Sequence, residues 1–421
     1  MKKFIATNVT DTPEYMREMA ERQKAKRGYA IDPYFYRSHV TYEKELDNIL
    51  YKSRLYAAHV SQVPNPGDFI QYELGEDAII ITRDAHGEIQ AQHNICRHRG
   101  SRVCEEQSGN TKTFVCPYHG WVYNLDGSLR AAREMEVRED FDPSSYGLKK
   151  PLLTVFQGLI FINCNPDAAP FEPDLAKIEP AIRGYDLANA KVIESKVYKV
   201  HANWKLALEN YLECYHCATA HRSYAKLHTL KEPYVRVKEI NEGMLARAEE
   251  QTGVPGVATA VSEVFNDNPH HGGGTYTSRY ALYDGNLTGS QDGQPVAPLM
   301  GEYTGYDGGV GDYQMGPLCS MLNYPDHCVL YRFTPRGLTE TDMEIVWYVR
   351  GDAQEGKDYD IDKVTWLWHH TTLEDEFIIT RNSEGVNSRF FEPGPSHPEY
   401  EETLMNFIGW YLDSLTDTLK L

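Results

Sequence analysis

The chain has 421 residues, room for two or three domains, and 41% hydrophobic against 24% charged residues describes an ordinary globular protein rather than a disordered or fibrous one. A formal net charge of −19 argues against nonspecific binding to nucleic acid or anionic membranes, which are polyanions themselves, and favours small cations. Eight cysteines in so long a chain do not suggest a disulfide framework, and where cysteines cluster they are expected to hold metal.

The first residues, Met1-Lys2-Lys3-Phe4-Ile5-Ala6-Thr7-Asn8, carry two lysines but no apolar run, which does not read as a secretory signal. The most apolar patches, Ala78-Ile79-Ile80-Ile81 and Leu159-Ile160-Phe161-Ile162, are only strand-length, so no membrane span and a cytoplasmic location are expected. Residues 9 to about 30 read as a helical arm with a thin apolar stripe of Met16, Met19 and Ala20. From about Tyr51 short β-prone runs follow: Asp68 to Tyr72, Ala78 to Thr82 and Ile89 to His93, with a hairpin turn at Asp84-Ala85-His86-Gly87. This is the pattern of a small antiparallel β domain.

Inside it stand two Cys/His pairs, Cys96-Arg97-His98 and Cys116-Pro117-Tyr118-His119, each followed within two residues by glycine. Two thiolates and two imidazoles can close a metal site, and two readings compete. A structural zinc ion accepts this set, but common zinc fingers place both cysteines before both histidines, whereas here they interleave. A two-iron, two-sulfide Rieske cluster needs two thiolates on one iron and two imidazoles on the other, which two loops giving one of each supply.

Cys96-x-His98 followed by Cys116-x-x-His119-Gly120-Trp121 resembles the Rieske domain of the Rieske-type non-haem iron oxygenases. The resemblance implies a further hairpin, met by Tyr123 to Leu129, and a closing strand, met by Gly158 to Asn163. Asn165-Pro166-Asp167 and the stretch to Pro173 then make a boundary. The expected organisation is α+β: an antiparallel β Rieske domain over 46–165, and a catalytic domain from 1–45 and 166–421 built on a helix-capped antiparallel sheet of helix-grip type.

The stretch from Asn203 to Tyr215 predicts a helix, with Asn203 as cap and Leu208, Leu212 and Tyr215 at helical spacing. It places ionisable Glu213, His216 and His221 on a largely buried surface. Glu213 and His216 share a face, but His216 and His221 are five apart, about 140° around a helix of 3.6 residues per turn. If both bind one ion, the helix must end or widen after His216; otherwise they are hydrogen-bonded interior histidines. Asn-Trp-Lys, then Glu-Asn, then an acidic residue three before the first of two histidines also resembles the same family. That resemblance makes His216 and His221 ligands of a mononuclear Fe(II), with Glu213 as the carboxylate bridging to a Rieske histidine.

A facial triad needs one more carboxylate. The helical segment Trp366 to Asn382 contains Glu374-Asp375-Glu376, and spacing does not choose among them: Trp368, Thr372, Asp375 and Ile379 form one stripe, Leu367, Thr371, Glu374 and Ile378 another. The resemblance favours Asp375, leaving Glu374 and Glu376 as a solvated acidic face. Cys214 and Cys217 read as small packing residues. His228 reads as a surface or hydrogen-bonded histidine, and His270-His271 beside three glycines as a mobile loop. Between about 253 and 318, Tyr276, Tyr280, Tyr283, Tyr303, Tyr306 and Tyr313 lie among glycines and predict a long irregular segment, either covering the active site or exposed without function. Cys328 to Phe333 and Met343 to Val349 return to strands.

The family resemblance implies a terminal oxygenase using dioxygen, with electrons from NAD(P)H through a separate flavin/iron-sulfur reductase, working as a homotrimer in which a neighbouring subunit's cluster serves each mononuclear iron. Arg381 to Pro395 and Asn406 to Tyr411 resemble the branch acting on glycine betaine and related quaternary ammonium compounds. The reaction expected is hydroxylation of an N-methyl carbon, whose carbinolamine product loses formaldehyde. The alternatives are an aromatic ring-hydroxylating oxygenase, with an apolar pocket, and a non-enzymatic Rieske electron carrier, which needs little beyond residues 46–165.

Overall fold

The computed structural model describes residues 11–262 and 275–416, so the readings of Met1 to Asn8 and of His270 and His271 lie outside the described residues. Residues 55–168 form one compact unit, and the described residues before and after them form a second.

The smaller unit is built from short antiparallel strands. Asp77–Arg83 lies between Asp68–Leu74 and Ile89–His93, with Ser108–Asn110 on the outer edge. The turn after Asp77–Arg83 is held by Asp84, whose Oδ1 accepts the N–H groups of His86 and Glu88, while Gly87 takes the left-handed φ of 88° that the turn requires. Phe114–Val115, Val122–Tyr123 and Leu129–Ala131 make a second small sheet, and Leu159–Asn163 pairs with Leu55–His59 and Leu152–Phe156 in a third. Phe69, Ile80, Val103, Phe114, Trp121, Tyr123 and Leu148 pack into a core that also encloses Cys96 and Cys116.

The larger unit is organised on a seven-stranded antiparallel sheet ordered Ala190–Val200, Glu340–Arg350, Cys328–Gly337, Cys319–Asn323, Gly309–Met315, Thr275–Ala281 and Val261–Ser262. The long helix Ile361–Val386, capped by Asp360, lies on one face, where His369 Nδ1 meets Tyr198 OH at 2.6 Å and Thr372 Oγ1 meets Tyr331 OH at 2.8 Å. The helix Pro13–Lys24 buries Met16, Met19, Ala20 and Gln23 and is tied to the last helix, Glu402–Thr416, by Lys24 and Asp413 at 2.9 Å. No helix among the described residues is long and apolar enough to cross a membrane.

Two expectations are corrected here. The helix begun by Asn203, whose side chain accepts the Lys205 N–H, runs only over Trp204–Tyr211 and closes at Leu212; Tyr215 is exposed. Nor is 253–318 one irregular segment. It contains Thr275–Ala281 and Gly309–Met315, paired edge to edge from Thr275↔Met315 to Ala281↔Gly309. Tyr303 and Tyr313 are buried against Tyr185 rather than lying over a site.

Candidate functional site: two metal-ligand sets and a tyrosine-walled cavity

In the smaller unit the two Cys/His loops have the same backbone geometry. Cys96 N donates to Ser101 O and Gly100 N to Cys96 O; Cys116 N donates to Trp121 O and Gly120 N to Cys116 O. Gly100 and Gly120 close the turns at φ of 79° and 71°, a region that carries little penalty only for glycine. Each loop thus turns its thiol into the core and its imidazole outward. Cys96 and Cys116 are buried and not disulfide-bonded, while His98 and His119 are exposed with their Nδ1 atoms 3.1 Å apart. Trp121 stacks flat on His98, centroids 4.9 Å apart. Tyr123 OH lies 3.3 Å from Cys96 Sγ. Burial opposes ionisation of Cys116, but the Tyr118 backbone, the Cys96 thiol and the His119 backbone outweigh it and hold the Cys116 thiol below its ordinary value. Two inward thiols and two outward imidazoles suit a two-iron cluster with one iron of each kind.

In the larger unit the second set is assembled by a turn. After Leu212 the chain leaves the helix because the Glu213 carboxylate takes the N–H groups of Tyr215 and His216, offering the backbone an alternative to helical bonding. A short helix, Cys217–Ala220, then carries the chain to His221. The turn solves the 140° problem: His216 Nε2 and His221 Nε2 stand 3.1 Å apart. Asp375 comes from the buried stripe with Trp368, Thr372 and Ile379, and its Oδ1 lies 3.0 Å from His221 Nε2 and 3.5 Å from His216 Nε2.

The remaining ring nitrogens are fixed by carboxylates. Glu213 Oε1 is 2.6 Å from His216 Nδ1 and Glu374 Oε2 is 3.0 Å from His221 Nδ1. An ionised carboxylate only accepts, so each Nδ1 carries the proton and each Nε2 presents its lone pair to the common centre. Asp375 Oδ1 is buried and has no aligned hydrogen-bond donor. An orphaned carboxylate oxygen facing two imidazole lone pairs fits a divalent metal bound by two histidines and one carboxylate. Burial opposes positive charge on His216, but Asp375 and Glu213 overcome it and lift the imidazole to about 9, so a proton competes with a metal ion for the Nε2 lone pair. The centre attracts positive charge.

Glu374 is thus not simply part of a solvated face, although it is 39% exposed. Cys214 and Cys217 are also corrected: they form a disulfide, because the turn brings their Cα atoms to 5.0 Å, within bridging range. Cys217 Sγ is 3.9 Å from His216 Nε2 but, being bridged, offers no thiolate. Buried His228 bonds Tyr224 O and Tyr324 OH, and burial pushes it down to about 4, so it stays neutral.

The second ligand set opens on a cavity of about 410 Å³. Its wall follows from strand register. Tyr276, Ser278 and Tyr280 alternate with buried Thr275, Thr277 and Arg279, and one row across the sheet runs Tyr276, Gln314, Ser320, Tyr331 while the next runs Ser278, Asp312, Leu322. Tyr211, Tyr224 and Trp368 complete it from the helices. Asp312 was not singled out, since a single polar residue in a strand carries no local signal; Asn210, whose Nδ2 is 3.3 Å from His216 Nε2, was read only as part of the family motif, and Glu374 only as a rival to Asp375.

Residues 187–417 match the catalytic domain of the ring-hydroxylating alpha subunit and residues 53–144 the Rieske [2Fe-2S] domain. The chain belongs to the Rieske-type non-haem iron oxygenases and carries a Rieske cluster together with a mononuclear iron. It is 32% identical to the glycine betaine monooxygenase oxygenase subunit of Pseudomonas aeruginosa over 395 residues, 93% of this chain and 90% of that one. The corresponding subunit of Chromohalobacter salexigens is 30% identical over 99% of this chain and 93% of its own. Among solved structures, the quaternary ammonium Rieske monooxygenase CntA in complex with L-carnitine shares the fold, with a TM-score of 0.68 at 19% identity over 96% of this chain and 99% of that one. The catalytic-domain match removes the electron-carrier alternative.

Proposed function

We propose that the protein is the oxygenase component of an N-demethylase that hydroxylates an N-methyl carbon of a quaternary ammonium compound, glycine betaine being the first to test. The observation that carries this is the cavity wall: Tyr211, Tyr224, Tyr276, Tyr280, Tyr331 and Trp368 border the space beside His216, His221 and Asp375, and aromatic faces attract methylated cations. Asp312, Gln314, Ser278 and Ser320 in the same wall disfavour an arene, which wants an apolar pocket.

In this reading His216, His221 and Asp375 hold the mononuclear iron, and Cys96, His98, Cys116 and His119 hold the cluster. When bound, the two centres supply dioxygen activation and one-electron storage. Glu213 and Glu374 keep the protons on Nδ1 of the two histidines and so keep their Nε2 atoms available as ligands. Glu213 would also face a Rieske histidine of a neighbouring subunit within a homotrimer fed by a separate reductase. In support, the surface by Glu213 and Glu374 exposes Tyr215, Leu373 and Phe377, and the Rieske loops expose Ile95, Val115 and Tyr118, apolar groups suited to a subunit contact.

The test is aerobic turnover with a reductase and NADH on glycine betaine, carnitine, choline, stachydrine and simple arenes. Formaldehyde in step with NADH from an ammonium compound is the expected result. A cis-diol from an arene, with no formaldehyde, would overturn the reading. Light scattering of a fully active monomer would overturn the trimer.

A further inference from the structure

Asp312 sits in the middle of the cavity wall, on a strand flanked by Ser278 and Leu322 in register. It lies deep among tyrosines, yet part of its surface faces the cavity. Tyr280 OH donates to Oδ2, and Tyr211 OH approaches Oδ1 at 3.5 Å. Neither lysine nor arginine answers it among the described residues lining the cavity; of the histidines there, His216 and His221 are turned to Asp375 and His228 stays neutral, and the other acidic groups are Glu213, Asp375 and Glu399. A carboxylate taken out of water without a counter-charge is unfavourable unless hydrogen bonds or a bound cation offset it. Burial raises Asp312 to about 6, with the Tyr280 and Tyr211 hydrogen bonds opposing, so near neutral pH its ionised form prevails.

We propose that Asp312 is the counter-charge for the substrate's ammonium group and sets the selectivity of the cavity for a methylated cation over an uncharged group of the same shape. This deepens, and rests on, the N-demethylase reading. The tyrosine faces accept the methyl groups, and they favour the cation only modestly over a tert-butyl group at a partly exposed site. The carboxylate adds a charge term that a carbon isostere cannot meet. Tyr280 and Tyr211 hold the carboxylate in place, and Asp312 shares the cavity wall with both of them. Gln314, next along the same face, is polar but uncharged and does not duplicate the role.

The experiment is calorimetric titration of the iron-loaded full chain with two matched pairs: glycine betaine against 3,3-dimethylbutanoate, and choline against 3,3-dimethylbutan-1-ol. Each pair differs only by nitrogen or carbon at the branched centre. The wild type is expected to bind the better ammonium compound about tenfold or more tightly than its isostere, Asp312→Asn to bring that ratio below about threefold, and Asp312→Glu to retain most of it. Isostere affinity, Rieske absorbance and thermal midpoint report whether each variant is folded; should Asp312→Asn not fold, Asp312→Glu, which must keep the preference, and Tyr280→Phe, which takes away a hydrogen bond that favours the ionised carboxylate and must weaken the preference, are read in its place. An unchanged ratio in Asp312→Asn, or loss of preference in Asp312→Glu, overturns the proposal while the N-demethylase reading stands. If no ammonium compound binds the wild type, both fall.

Discussion

Lys205 gives the sharpest test of how the catalytic unit is held together. Its side chain is fully buried, 2.5 Å from Glu45 Oε1 and 2.8 Å from Asn203 Oδ1, and the rings of Tyr36, Trp204 and Tyr411 surround Nζ at 5.2 to 5.6 Å. Glu45, equally buried, also receives Trp204 Nε1 at 2.7 Å and Tyr411 OH at 2.6 Å. Asn203-Trp204-Lys205 is therefore a fastening between the N-terminal segment, the helix Trp204–Tyr211 and the C-terminal helix, rather than part of the chemistry. Lys205→Met fills the volume but strands the Glu45 carboxylate, and breaking a buried pair in this way is expected to remove about 3–5 kcal/mol. At about 2–4 °C per kcal/mol the unfolding midpoint falls by about 6–20 °C. Circular dichroism follows the catalytic unit while visible absorbance follows the Rieske unit, whose transition is expected to move less. Adding Glu45→Gln to Lys205→Met removes the stranded charge, so the double variant should be more stable than the sum of the single ones. A Lys205→Met midpoint within about 2 °C of wild type, or strict additivity, would refute the reasoning.

Glu209 carries a pH signature in the same cluster. Burial raises its carboxyl from 4.5 to about 7, against the Tyr36 hydrogen bond and Lys205. The fold favours the protonated form, so the stability Glu209 contributes is full below pH 4.5 and is lost as pH rises through about 7. Glu209→Gln is expected to gain about 1–3 kcal/mol on wild type between about pH 5 and pH 8 in urea unfolding; parallel profiles would contradict this. Tyr123→Phe removes the hydroxyl beside Cys96 Sγ, and losing about 1 kcal/mol of preference for the reduced cluster lowers its potential by about 40 mV. A voltammetric potential that stays put or rises would show that the hydroxyl does not tune the cluster.

The two loops of the Rieske unit were legible because each brings its thiol, imidazole and glycine within a few consecutive residues, so the chemistry is written locally. The proposed triad was legible only in part. Residue spacing on 366–382 left Asp375 and Glu374 on rival stripes, and tertiary packing decides between them, burying Asp375 beside the two Nε2 atoms and leaving Glu374 to His221 Nδ1. The helix end at Leu212 was hidden because Glu213 and its neighbours continue a helix-permissive pattern, and what stops it is a side chain capturing two backbone N–H groups. Thr275–Ala281 and Gly309–Met315 were hidden for a different reason. A strand with one face on a polar cavity lacks the alternation of apolar and polar residues, so tyrosine and glycine there read as loop.

The central claim is that this chain holds two kinds of iron, on two separate ligand sets. Metal analysis with electron paramagnetic resonance on wild type and Asp375→Ala tests it most directly. Wild type is expected to hold about three irons per chain, and Asp375→Ala about two, with the signal of the reduced Rieske cluster unchanged. Full iron in the variant, or zinc in place of iron in the wild type, would contradict it.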